Sequence, residues 1–192
     1  MQDSELIAAL RSGSEPAFRT LVESYQNRVY NMALVIVQQE EEAEDVAQEV
    51  FIEVYQTIDR FREESRLSTW IYRITTSKAL EHHRRRKAKK RFAFITSLFG
   101  SENEVLHEPA DFHHPGVALE NKEQMKLLFG AIAALPESQK VAFTLHYLNQ
   151  ASYQEVAEIM QNTVSAVESL LHRAKQNLRK QLNTYYTEFN KP

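Results

Sequence analysis

Cysteine is absent from this 192-residue chain, which excludes disulfides, thiolate nucleophiles, iron–sulfur clusters and cysteine-based zinc sites. Glycine and proline number only four and five, well under usual shares of roughly 7% and 5%. So few turn formers among frequent Ala, Leu, Glu, Gln and Lys predict a mostly helical protein. Long apolar runs are missing as well. The longest, 29–37, is interrupted by Asn31 and falls far short of the ~20 residues a membrane span needs. Met1-Gln2-Asp3-Ser4-Glu5 has neither the basic start nor the apolar core of a secretory signal, so a cytoplasmic location without membrane insertion is expected. There is no Gly-rich phosphate loop and no Ser-centred nucleophile elbow. The seven histidines include the adjacent pairs His82-His83 and His113-His114, not the i, i+4 spacing of a helical zinc site. His107, His113 and His114 could gather a metal on spacing alone, but no metal or cofactor is expected.

What the chain does have is charge in blocks. A formal net charge of −3 conceals them. Residues 38–64 hold ten acids against Arg60 and Arg62, whereas 78–91 hold eight basic residues against Glu81. Residues 92–121 carry five acids and no Lys or Arg, and 165–180 carry four basic residues against Glu168. Opposite blocks on one small protein suggest separate surfaces for separate partners, although solvated helix faces and a basic linker would also account for such runs.

Helical periodicity runs from the start to about residue 91, lapses through a stretch holding Gly100, Pro109 and Pro115-Gly116, and resumes near Val117. The expected fold is therefore all-α. Two small helical domains, 1–91 and 118–185, are joined by a flexible acidic linker, 92–117, and followed by a short tail, 186–192.

Ser152-Tyr153-Gln154-Glu155 has capping-box spacing and should start a helix that turns Val156, Ile159 and Met160 inward. After a turn at Gln161-Asn162-Thr163, a longer helix should run to about Leu182, making a helix-turn-helix. At 100° per residue, Val164, Val167, Leu171, Ala174, Leu178 and Leu182 form its packed stripe. Ser165, Ser169, His172, Arg173 and Gln176 lie opposite, with Glu168 and Leu170 on the flanks. Such a face suits base edges and phosphates in a major groove, and it equally suits plain solvent. Glu168 could close a second capping box on Ser165 or accept from cytosine.

In the first domain, residues 44–61 read as one helix. Ala43, Val46, Ala47, Val50, Val54, Ile58 and Phe61 form its buried stripe, and Asp45, Gln48, Glu49, Ile52, Gln56 and Asp59 lie opposite. Ile52 stands as a lone apolar residue on an acidic, amide-rich face, the pattern of a helix that docks on a partner. A polar loop with Arg62 and Ser65 follows, and Ser68 is a suitable N-cap for a helix over 69–87. That helix should bury Leu67, Trp70, Ile71 and Ile74. It should expose Tyr72, Arg73, Thr76, Leu80 and His83 before ending in Arg84-Arg85-Arg86-Lys87. Basic and aromatic side chains together suit single-stranded nucleic acid, while part of the run also complements a helix C-terminus.

Phe18-Arg19-x-Leu21, Ala43-Glu44-Asp45-Val46-Ala47-Gln48-Glu49-Val50-Phe51, Phe61-Arg62 and Ser68-Thr69-Trp70-Ile71-Tyr72-Arg73-Ile74 resemble region 2 of bacterial sigma factors. Leu135-Pro136, Tyr153-Gln154-Glu155-Val156-Ala157 and Val164-Ser165-Ala166-Val167-Glu168-Ser169-Leu170-Leu171-His172-Arg173-Ala174-Lys175 resemble region 4. Two regions without a third between them resemble the extracytoplasmic-function (ECF) subgroup of the sigma-70 family. Glu63 stands where that family often has Gly, and Ser77 where it commonly has Asn.

The resemblance implies a non-enzymatic factor that directs core RNA polymerase to promoters. Asp45, Gln48, Glu49, Ile52 and Gln56 would meet the β′ clamp helices, and the second domain the β flap. Arg62, Ser65, Tyr72, Arg73, Thr76, Leu80, His83, Arg84, Arg85 and Arg86 would contact the melted −10 element. Ser165, Glu168, Ser169, Leu170, His172, Arg173 and Gln176 would contact the duplex −35 element. The linker would thread the polymerase channels, and an anti-sigma factor is a candidate partner. The rival expectation is a stand-alone helix-turn-helix regulator whose N-terminal helices bind a ligand or dimerise.

Overall fold

A computed structural model describes residues 3–98 and 122–189, with side chains over 3–89 and 127–183. Eight α-helices account for most of these residues: α1 Asp3–Arg11, α2 Glu15–Val37, α3 Glu40–Thr57, α4 Leu67–Leu98, α5 Lys122–Ala133, α6 Glu137–Phe143, α7 Tyr153–Ile159 and α8 Val164–Phe189. No strand occurs among the described residues. The expected linker lies mostly outside them, as do His107, His113 and His114.

Local chemistry sets most helix boundaries. Ser14 caps α2 by accepting from the Ala17 amide at 3.4 Å, and Pro16 sits in the first turn, where its missing N–H costs nothing. The helix stops at Gln38, which adopts a left-handed φ of 61°. No capping side chain starts α3, but Glu40, Glu41 and Glu42 in its first turn complement the helix dipole. This helix ends at Thr57 and passes into a 3₁₀ turn, Ile58–Arg60, rather than continuing to 61 as the periodicity predicts. In α4 the first turn begins at Leu67, with the Trp70 amide donating to Arg66 O at 3.1 Å, so Ser68 lies inside the helix and does not cap it. The same helix extends to Leu98, beyond the expected end near 87. Nothing in residues 84–98 is Gly or Pro, so no residue there breaks it.

The capping box at Ser152 forms as expected. Its hydroxyl accepts from the Glu155 amide at 3.2 Å, and its own amide donates to Glu155 Oε2 at 2.8 Å. These bonds hold the Glu155 carboxyl below the usual carboxylate range. Replacing Ser152 by Ala should therefore cost about 1 kcal/mol of stability. A urea-unfolding midpoint that does not move would show that the packing of α7 alone fixes this terminus.

Helices α1–α4 form the first domain around Leu21, Val29, Met32, Val46, Val50, Val54, Leu67 and Ile71. Full burial of such side chains is worth ~1.5–3 kcal/mol each. The second domain, α5–α8, packs around Ile132, Leu145, Val156, Val167, Leu171 and Ala174. The two domains also pack on each other, because one apolar cluster runs from Leu6 and Ile71 through Val141, Leu145 and Ile159. Val35 on the far side of α2 joins Phe129, Ile132 and Leu135 in a second cluster. The Gln38 side chain adds a bond, its Nε2 donating to Ala133 O at 2.9 Å. The C-terminal part of α2 is therefore enclosed on both sides, which explains why 29–37 is nearly continuously apolar.

Candidate functional site

Three helix faces carry the expected site residues, and the fold treats them differently. On α3, Asp45, Gln48, Ile52 and Gln56 are exposed, Ile52 at 55%. Glu49 is partly withdrawn. Its carboxylate meets His82 Nε2 at 3.1 Å and Lys78 Nζ at 3.7 Å, tying α3 to α4. Lys78 also pairs with Glu53 at 3.0 Å, and that bond raises the lysine pKa. Ile52 is not alone: Tyr55 is 56% exposed and stands edge-on to Phe18, ring centroids 5.2 Å apart. Spacing alone could have found it, since Tyr55 lies three residues after Ile52 and seven after Gln48.

The loop before α4 carries Arg62 and Glu63 exposed and Ser65 half-buried. Glu63 has a left-handed φ of 57°, a conformation that favours Gly, and its carboxylate is held by Arg11 at 2.7 Å. Phe61, at the start of the loop, stacks on Trp70 of α4 with centroids 4.9 Å apart, tying the two ends of the loop together.

On α4 the expected exposed face is largely covered. Tyr72 and Thr76 are buried, at 4% and 7% exposure, which corrects their expected placement. The helix is contacted on two sides and so has little free face: α2 brings Tyr25 against Tyr72, centroids 6.4 Å apart, and α6 and α7 approach from the second domain. Arg73 pairs with Glu158 of α7 at 2.9 Å, and Arg84 with Glu137 of α6 at 3.2 Å. Arg66, in the loop, pairs with Glu155 at 3.3 Å. Arg85 pairs with Glu81 within the helix, and Arg86 with Glu42 of α3 at 3.0 Å. Leu80 and His83 are half-buried. Burial, together with Lys87, Lys140 and Arg86, lowers the His83 pKa to about 4. Between α4 and α6–α7 lies a cleft of about 620 Å³ lined by Trp70, Arg73, Leu80, Arg84, Glu137 and Met160 among others.

On α8, Ser165, Ser169, His172, Arg173 and Gln176 are all exposed along one face, as the angular reading expects, and Glu168 on its flank is exposed as well. Leu170, also read as a flank position, is half-buried against the core. Val164, assigned to the packed stripe, is 37% exposed. The helix starts at Val164 and Thr163 Oγ1 accepts from the Ala166 amide at 3.2 Å, so Thr163 is the cap and the Ser165–Glu168 box does not form. Glu168 is thereby left free of capping duty. No cluster of His, Asp and Glu among the described residues could hold a metal ion, and no described helix is long and apolar enough to cross a membrane.

An all-helical pair of domains, the second ending in a helix-turn-helix, defines the class of protein. Residues 21–89 match the Sigma-70 region 2 family and residues 126–178 the Sigma-70 region 4 family. The chain is 32% identical over 187 residues to the RNA polymerase sigma-H factor of Pseudomonas aeruginosa, covering 97% of each chain. It is 31% identical over 184 residues to the ECF RNA polymerase sigma factor SigW of Bacillus subtilis, covering 95% of this chain and 97% of that one. Among solved structures, CnrH in complex with the cytosolic domain of CnrY shares the fold with a TM-score of 0.68 at 21% identity, covering 95% of this chain and 97% of that chain. The sigma factor RpoE of Bartonella quintana, solved with the anti-sigma factor NepR, shares it with a TM-score of 0.65 at 19% identity, covering 86% and 96%. The chain belongs to the ECF sigma factors of RNA polymerase and acts in transcription initiation.

Proposed function

We propose that this chain docks on core RNA polymerase through α3 and reads promoters with two separate surfaces. Asp45, Gln48, Ile52, Tyr55 and Gln56 form the docking face, against the β′ clamp helices. The 61–66 loop and the outer side of α4, from Arg73 to Arg86, hold the melted −10 strand. The α8 face from Ser165 to Gln176 enters the −35 major groove, and the second domain also contacts the β flap. Residues 1–91 thus serve docking and melting, and 118–185 serve upstream recognition.

The observation that carries this reading is the pair of exposed apolar side chains, Ile52 and Tyr55, on an otherwise acidic and amide-rich helix face. Exposed aromatic and aliphatic residues within a polar rim are how a helix anchors to a partner. Phosphodiester chemistry belongs to the polymerase, so the factor itself is not an enzyme, and its place of work is the cytoplasm. RpoE was solved with an anti-sigma factor, which supports an anti-sigma protein as a further partner here.

In-vitro transcription with core polymerase, with and without this chain, tests the reading on promoter-containing fragments. Transcripts should require the chain. In parallel gel shifts, the free protein should hold duplex DNA only at the non-specific level of roughly 10⁻⁴–10⁻⁶ M, and specific binding should emerge with core, where tethering raises the effective concentration of each domain. Nanomolar, sequence-specific binding by the free chain would instead mark a stand-alone regulator.

A further inference from the structure

Within the 61–66 loop, Glu63 alone has a left-handed backbone, a conformation that crowds a side chain and suits glycine. Arg11, the last residue of α1 and 52 positions earlier in the chain, holds it there. The two terminal nitrogens of its guanidinium take different partners. Nη1 meets Glu63 Oε1 at 2.7 Å, and Nη2 donates to the backbone oxygen of Phe61. A planar, charged fork can fix a side chain and a peptide two residues apart in one geometry. Its base is firm, because Leu6, Ile7 and Leu10 of α1 are buried in the same cluster as Ile58, just before the loop. The stack on Trp70 also restrains Phe61. The Arg11 and Glu63 side chains are themselves 35% and 44% exposed. A pair so exposed to solvent adds little to overall stability, so its main effect falls on the shape of the loop.

We infer that Arg11 is a positioning residue for strand capture: its guanidinium holds residues 61–63 in the shape that receives the melted strand and keeps the Glu63 carboxylate paired. This rests on the proposed assignment of the 61–66 loop to the −10 element. Arg11 acts through Phe61 and Glu63 and not on DNA itself. Without the fork, a non-glycine residue at 63 relaxes toward right-handed or extended backbone, and the peptides flanking Arg62 turn with it. The freed carboxylate, beside the exposed Glu64, would also repel the phosphates of the strand. Glycine at 63 removes both needs, because it takes the left-handed conformation unaided and carries no charge. Arg11 and Glu63 are therefore a matched pair.

The test uses holoenzyme on a promoter fragment that the parent factor transcribes, with 2-aminopurine in the melted segment to report opening. Arg11→Met keeps the side-chain stem and removes the fork. It should lower the opening equilibrium about fivefold, the loss expected when one hydrogen bond of ordinary net strength goes. Affinity for core polymerase should not change, because α3 is untouched. Arg11→Met/Glu63→Gly should recover most of the lost opening. Urea-unfolding midpoints, read in parallel, should stay close to the parent's in both variants. Opening that merely follows the midpoint would make Arg11 a stability residue and overturn the proposal. Full opening in Arg11→Met overturns it too, as does a loss that glycine fails to repair. If opening stays full, holoenzyme carrying Arg62→Ala/Ser65→Ala tells which statement failed. Impaired opening there leaves the loop on DNA and the Arg11 clamp idle, whereas full opening removes the loop from the strand altogether.

Discussion

Ile52→Glu is expected to weaken binding to core RNA polymerase at least about tenfold while leaving thermal unfolding unchanged. Ile52 is 55% exposed and is not one of the buried core residues, so the free domain loses little when the side chain changes. In the docked state the same side chain would be desolvated, and an apolar anchor in that position is worth ~1–3 kcal/mol, where 1.4 kcal/mol is tenfold. A carboxylate there adds the cost of burying a charge on a helix already rich in acids. Gln48→Ala, one turn earlier, should produce a smaller loss. Tyr55→Ala is a poorer probe because Tyr55 also packs against Phe18, so a loss there would mix docking with stability. Equilibrium titration of labelled core reads the effect, and full affinity in both the Ile52 and Gln48 variants would remove α3 from the interface.

The second large effect is on stability against acid. Burial is the main cause that lowers the His83 pKa from its ordinary 6.5 to about 4, with Lys87, Lys140 and Arg86 adding repulsion and Glu137 opposing it. Between pH 6.5 and about 4 the unfolded chain therefore binds a proton that the folded chain refuses. Stability from this group is intact above pH 6.5 and is lost as pH falls through that window. Discounted for the partial exposure of His83, lowering pH from 7 to 5 should cost about 1 kcal/mol. Lys140 is governed by the same sign at the other end. Burial first, and then Lys87 and Arg86, lower its pKa from 10.5 to about 8, so raising pH across that interval should stabilise the fold. Denaturant unfolding of the parent chain and of His83→Gln at pH 7 and 5 isolates the histidine. Equal acid sensitivity in the two would rule out His83 as its source. Lys140→Met should be more stable than the parent at pH 7, because it keeps the buried stem and removes the charge.

Much of the helical architecture was legible from local pattern. Scarce glycine and proline marked the helices. The capping box at Ser152 and the 100° spacing in α3 and α8 identified their faces, including Ile52 and the exposed row from Ser165 to Gln176. Such features depend on neighbours within about one turn, so a linear pattern carries them. Tyr55 obeyed the same spacing and could have been read.

Other features were decided only by the tertiary structure. The apolar run 29–37 excludes a membrane span by its length, but its burial on two sides depends on where α5 packs. Tyr72 and Thr76 have the sequence of an outward face, yet neighbouring helices cover them. Thr163 rather than Ser165 caps α8 because the turn from α7 sets where the helix begins. The ion pairs that cover α4 join residues 53 and 85 positions apart, and no helical period connects such positions. A side chain's angle around its helix follows from its place in the chain, but the surface that meets it is chosen by how separate apolar faces find burial together.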